Sequence, residues 1–224
     1  MAPDSLQLGD VAVTVPVDDR AAAAAAYDVL VGTADPVTGA WAASNGSVRA
    51  AAGESAPWAA FAAADVAGAT TLLGRRGLLL DADGRADAVA AVGIAADAGA
   101  RAGAPTLDHV VYTAPSVDAA IALFAGRLGL DLRLVRQFGD VAQVFFRSSS
   151  VVVEVLAGGD QAADFGVWGL AWRVADLDVE HARLTREGLA LSEIRVGRKP
   201  GTRVATVRER ALGTPTILLE QAAR

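Results

Sequence analysis

Residues 107–222 contain one pattern twice. Val117-Asp118 and Leu177-Asp178 stand 60 residues apart, and each opens a helix-like stretch after a strand-like one. An internal repeat constrains a fold more than composition does, because each copy must bury its apolar face against its twin.

In the first copy, Leu107-Asp108-His109-Val110-Val111-Tyr112-Thr113 is apolar and β-branched, which predicts a strand. Ser116 is a helix cap. Val117, Ala120, Ile121, Phe124 and Leu128 then form one apolar helical stripe that Gly129 stops. Strand-like runs follow over Leu130 to Arg136, Val141 to Arg147 and Val151 to Leu156. The order is β-α-β-β-β.

The second copy runs from Trp168 to Val174, through a helix from Asp176 to Gly188, to a hairpin and a last strand, Thr214 to Glu220. Its hairpin joins Glu193–Arg198 to Arg203–Arg208 through Lys199-Pro200-Gly201-Thr202, which suits a type II turn with Gly at φ > 0.

A fainter pair precedes them. Asp10-Val11-Ala12-Val13-Thr14-Val15-Pro16 matches His109 to Pro115, and an alanine-rich helix, Arg20 to Val31, follows. Short runs near Trp41, Val48 and Ala51 are candidate strands, as are Gly77 to Leu80 and a weak pair between Ala86 and Ala102. Phe61 to Val66 echoes Trp172 to Leu177. Gly103-Ala104-Pro105-Thr106 reads as a linker, so the expected modules are 1–104, degenerate, and 107–224. The expected class is α+β: tandem paired β-α-β-β-β units forming curved mixed sheets with helices on the outer face.

Composition narrows the function. A net charge of −6 argues against a general nucleic-acid binder. The absence of cysteine removes disulfides, thiolate metal sites and cysteine nucleophiles. Met1-Ala2-Pro3-Asp4 lacks the features of a secretory leader, and the apolar stretch from Pro57 to Gly74 is interrupted by Asp65. The expectation is a cytoplasmic protein without a membrane partner.

Paired units of this length resemble the vicinal oxygen chelate superfamily of glyoxalases, extradiol dioxygenases, epimerases and bleomycin-resistance proteins. The likeness rests on Leu107 to Val111, Arg127-Leu128-Gly129-Leu130, Val153-Glu154-Val155 and Trp168 to Asp176. The segment Gly197 to Arg203 also resembles a glyoxalase-like subset. The resemblance implies metal ligands on the first and last strand of each unit. His109 and Glu154 fill two such slots, whereas Gly169 and Ile217 fill the others, with Glu220 on the opposite strand face. In the first module Asp10 takes the His slot, and Trp58 and Ala102 lie near the other two.

Three readings of His109 and Glu154 stay open: half of a weak divalent metal site, a metal-free general base oriented by its carboxylate, or a relic of a metal-binding ancestor. His181 lies in a charged helix segment and reads as solvent-facing. Arg195, Arg198, Lys199, Arg203, Arg208 and Arg210 crowd one hairpin of an acidic chain. Of these, Arg198 and Arg203 are candidates for gripping an anion, against the alternative of a solvated edge. Trp168 and Trp172, four apart on one strand, are expected on one side, either stacking on a ligand or filling the core.

The expected function is a glyoxalase-like protein that binds a small, anionic molecule in its C-terminal module and acts as a lyase, isomerase or dioxygenase. The alternative is a non-catalytic, drug-sequestering protein. No cofactor is certain; any divalent metal is expected to be weakly held and sub-stoichiometric. The expected assembly is a monomer of two paired modules or a homodimer.

Overall fold

The computed structural model describes residues 6–159 and 163–222, so Met1 to Asp4 lie outside it. Two sheets account for the strands. The first contains β1 (Val11–Pro16), β2 (Trp41–Ala43), β3 (Gly46–Ala51), β4 (Trp58–Ala62) and β5 (Val92–Ala95), in the order β2-β3-β1-β4-β5. Helix α1 (Arg20–Val31) follows β1, and α2 (Val66–Arg75) follows β4. Asp19 and Asp65 cap these helices by accepting hydrogen bonds from their first N–H groups.

The second sheet has eight strands. They are β6 (Thr106–Ala114), β7 (Asp131–Phe138), β8 (Val141–Arg147), β9 (Val152–Ala157), β10 (Gly166–Val174), β11 (Arg195–Val196), β12 (Thr202–Val207) and β13 (Thr216–Gln221). Their order, β11-β12-β13-β10-β6-β9-β8-β7, is symmetric about an antiparallel β6–β10 pair. Each flank is one β-α-β-β-β unit, and the sequence repeat becomes a pseudo-twofold in space. Helix α3 begins as Val117–Ala120 and continues as a π-helix over Ile121–Arg127; Ser116 caps it. Helix α4 (Leu177–Arg186) is its counterpart. The type II turn forms: Thr202 N–H donates to the Lys199 carbonyl, and Gly201 sits at φ 75°.

The first module is a reduced version. Its candidate strand Gly77 to Leu80 shrinks to one bridge, Leu80 to Ala86, and the pair after Ala86 yields only β5 and a second bridge. Alanine and glycine bury too little apolar area per residue to hold extra strands in register.

Alternation sends one face of each strand into a core that runs through both modules. In the second sheet, Val110, Tyr112, Val153, Val155, Val144 and Phe146 are buried there, and Phe124 of the π-helix packs on Tyr112 and Phe146. Among the described residues the opposite face carries no helix. The sheet curls so far that the hairpins at its two ends meet: the Arg198 guanidinium lies 5.9 Å from the Phe138 ring centroid. The helix-free face is thereby a cup.

The modules are clasped by polar groups. Asn45, buried, donates to the Leu107 carbonyl and accepts from its N–H. Ser148 donates to the Gly9 carbonyl, and Ser150 to Asp10. Among the described residues no helix is long and apolar enough to cross a membrane.

Candidate functional site

His109 sits on the floor of the cup. It is on β6, in register with Val152 of β9 and Ala171 of β10. Strand pairing puts Glu154 of β9 beside Val111, one step along the same face. The two side chains meet: His109 Nε2 lies 3.3 Å from Glu154 Oε2. The imidazole's other nitrogen, Nδ1, is 2.9 Å from Asp108 Oδ1. Asp108 reaches it because the β6–β10 register shifts between Ala171 and Trp172, leaving Asp108 unpaired in the ladder.

Both carboxylates are held from behind. Arg173 donates to Asp108 Oδ2 from Nε at 2.8 Å and from a terminal nitrogen at 2.6 Å. Gln143 of β8 donates to Glu154 Oε1 at 2.6 Å. The result is a row of five side chains, Arg173–Asp108–His109–Glu154–Gln143. The side chains of His109, Glu154 and Asp108 are only 11%, 13% and 16% exposed, so water screens these contacts weakly. Burial opposes the Asp108 charge, but hydrogen bonds from His109 and Arg173 outweigh it and hold its pKa at about 2.

The arrangement has a chemical consequence. Asp108 is a fixed negative charge at Nδ1. A carboxylate at each ring nitrogen offers two acceptors, whereas neutral imidazole has one N–H. The His109–Glu154 contact therefore has room for one further proton, on either partner.

The same geometry tests a metal. Gly169, in the second unit's first-strand slot, has no room for a ligating side chain, since a Cβ there would lie 2.8 Å from the Pro215 carbonyl oxygen. Ile217 offers hydrocarbon. Glu220 is committed elsewhere: it accepts from the Leu177 N–H and from Arg203, which together hold its carboxyl below the usual range. Among the described residues no group of three or more His, Cys, Asp or Glu is placed to hold a metal ion. His109 and Glu154 do not complete a coordination shell in this chain.

The remaining expected site residues separate. Arg203 faces the helix side, where it donates to Glu220 and Asp178; hydrogen bonds to these carboxylates, Glu220 first, raise its pKa. Arg198 is at the rim of the cup, over Phe138. Trp168 and Trp172 do not share a side, contrary to their spacing. The β6–β10 register shifts between Val167 and Gly169, leaving Trp168 unpaired and 46% exposed, while Trp172 is 2% exposed in the core. His181 is partly buried and bonds the Ser192 carbonyl rather than facing open solvent. In the first module Asp10 is engaged with Ser150, Trp58 lies under the Arg85 guanidinium, and Ala102 falls outside the strands.

Asp108, Arg173 and Gln143 were missed by the sequence reading. Gln143 was within reach of it: the tight turn after Arg147 pairs Phe145 with Glu154, which puts Gln143 diagonally beside Glu154. Asp108 gave no such signal, because strict alternation points it away from His109.

A family model described as "Glyoxalase/Bleomycin resistance protein/Dioxygenase superfamily" matches residues 108–206. The matched residues lie within the C-terminal module and make up less than half of the chain. Among solved structures, a mutant 4-hydroxymandelate synthase from Streptomyces coelicolor aligns with 99% of this chain and 94% of its own at TM-score 0.66 and 15% identity. That likeness concerns the fold alone, and it spans both modules. Methylmalonyl-CoA epimerase from Mycobacterium tuberculosis is 24% identical over 52% of this chain and 88% of its own, at TM-score 0.46. The Streptomyces coelicolor epimerase in complex with 2-nitronate-propionyl-CoA is 20% identical over 52% and 97%, at TM-score 0.42. No curated protein matches the chain. At Gly169 and Ile217 the chain departs from the ligand pattern that the resemblance implies.

Proposed function

We propose that the second module, residues 107–224, is a glyoxalase-superfamily enzyme of the isomerase or lyase type. It binds a small, anionic molecule in its cup and transfers a proton through His109 and Glu154. The first module, residues 1–104, is its packing support. The observation that carries this reading is a buried imidazole with a carboxylate at each nitrogen, on the floor of a helix-free cup. A structural role alone needs one such partner.

Asp108, kept ionised by Arg173, orients the ring and supports positive charge on it. Gln143 fixes the Glu154 carboxylate. The pair takes a proton from a carbon next to a carbonyl; the C–H electrons move onto the carbonyl oxygen. Returning the proton to carbon completes an isomerisation. The proposed step uses no metal, in keeping with the incomplete donor set.

The test is solvent-deuterium wash-in, followed by NMR, across small carbonyl compounds carrying a carboxylate. Exchange beside the carbonyl is expected, with a loss of about 100-fold or more in Glu154→Gln and His109→Asn. Stoichiometric binding of the same compounds with no exchange and no product would establish the sequestering alternative instead.

A further inference from the structure

The second sheet aligns an unbroken row across the cup floor: Arg147, Val152, His109, Ala171, Ile217 and Thr206 are successive register partners on β8, β9, β6, β10, β13 and β12. Arg147 thus shares a face with His109, two strand spacings away, or roughly 10 Å. A cavity of about 420 Å³ opens at that end of the row, lined by Arg133, Phe145, Phe146, Arg147 and Val152. Two of its walls adjoin the proton-transfer pair directly: Val152 is the register partner of His109, and Phe145 that of Glu154.

The charges of the two arginines differ in availability. Arg133 donates to Asp131 at 3.1 Å, an exposed pair on the same strand that gives this guanidinium a carboxylate partner. The Arg147 guanidinium has no hydrogen bond or ion pair among the described residues. The cavity therefore presents one uncommitted guanidinium beside apolar walls, a net single positive charge. That suits a monoanion with an apolar body, and the planar guanidinium fork matches a carboxylate.

We infer that this cavity is the substrate-anchoring subsite, in which Arg147 grips a carboxylate and Phe145 and Val152 hold the apolar body, presenting the reacting carbon to His109 and Glu154. This rests on the cup being the binding face as proposed above. It moves the anion site away from Arg203, whose guanidinium is occupied on the other side of the sheet.

The experiment uses benzoate, benzamide and inorganic phosphate as probes, with the full chain and binding followed by NMR titration. Benzoate is expected to bind, and Arg147→Ala to weaken it about tenfold or more, while Arg147→Lys recovers part of the loss. Benzamide affinity should move less than about twofold in either variant, which separates the charge from a disturbed fold. Phosphate should bind more weakly than benzoate; phosphate binding more tightly, in an Arg147-dependent way, overturns the carboxylate assignment. Benzoate that fails to bind the unmutated chain at about 10 mM, or that binds Arg147→Ala equally well, overturns the subsite. Glu154→Gln keeps the two proposals apart. If Arg147-dependent binding persists but no substrate exchanges deuterium, proton transfer fails and the anchor stands. If exchange is seen and Arg147→Ala changes neither its KM nor benzoate affinity, the anchor fails and proton transfer stands.

Discussion

The two modules follow one plan and differ in what occupies the helix-free face. The second has eight strands and a wide cup, with polar side chains wired together on its floor. The first has five strands, and its equivalent positions are taken up: Trp58 lies under Arg85 of the same module, and Asp10 is bonded to Ser150 of the second. On the reading proposed above, the first module is support: Trp58 is covered by Arg85, and Asp10 is turned toward the second module.

The sharpest way to break this contrast is to mutate equivalent slots. Glu154→Gln should reduce proton exchange about 100-fold or more, whereas Asp10→Asn should leave the rate within about twofold. A large rate loss from Asp10→Asn would mean that the first module takes part in the chemistry.

The clasp between modules is the next largest effect. Asn45→Ala leaves the Leu107 N–H and carbonyl without their partner in a buried interface. A destabilisation of about 2–3 kcal/mol is expected in denaturant melts, in a single transition. Two separated transitions would show that the modules fold independently, and the support role would shrink.

Acid sharpens the electrostatic side. The folded-state pKa of Asp108, about 2, lies below its ordinary value of 3.8. A depressed carboxylate contributes stability that is complete above its unfolded pKa and lost as pH falls through the folded one. Between pH 4 and pH 2 this one group should cost about 2 kcal/mol, and Asp108→Asn should remove that part of the acid transition. Identical acid profiles for the two proteins would show that the Arg173–Asp108–His109 wiring does not hold in solution.

The smallest effect contrasts two buried tyrosines. Tyr27, in the first module, donates to the Leu212 carbonyl across the interface at 2.9 Å, whereas the Tyr112 hydroxyl has no partner among the described residues. Tyr27→Phe should destabilise by about 1 kcal/mol, and Tyr112→Phe should be neutral or stabilising. The reverse order would mean that an ordered water satisfies Tyr112.

The fold was legible because its signals are local and repeated. The 60-residue spacing, the Ser116 cap, Gly129 and the turn at Lys199 to Thr202 each act over a few residues, and the structure has each of them in place. His109 and Glu154 were legible as a pair through the family resemblance, and they meet. The first module was harder, because its strands are rich in alanine, a helix former that strands seldom favour, and so carry little pattern.

The sequence by itself determined the class of fold and the repeat, because hydrophobic period and turn chemistry are written residue by residue; it paired His109 with Glu154 only through the family resemblance. Only the tertiary structure decided the partners. Two register shifts in one strand pair brought Asp108 to His109 and parted Trp168 from Trp172. Pairing across three strands put Arg147 in line with His109, and Arg203 turned out to be spent on Glu220 and Asp178. A one-residue slip in register exchanges the faces of a strand, and that slip is fixed by packing between distant segments rather than by any local run of residues.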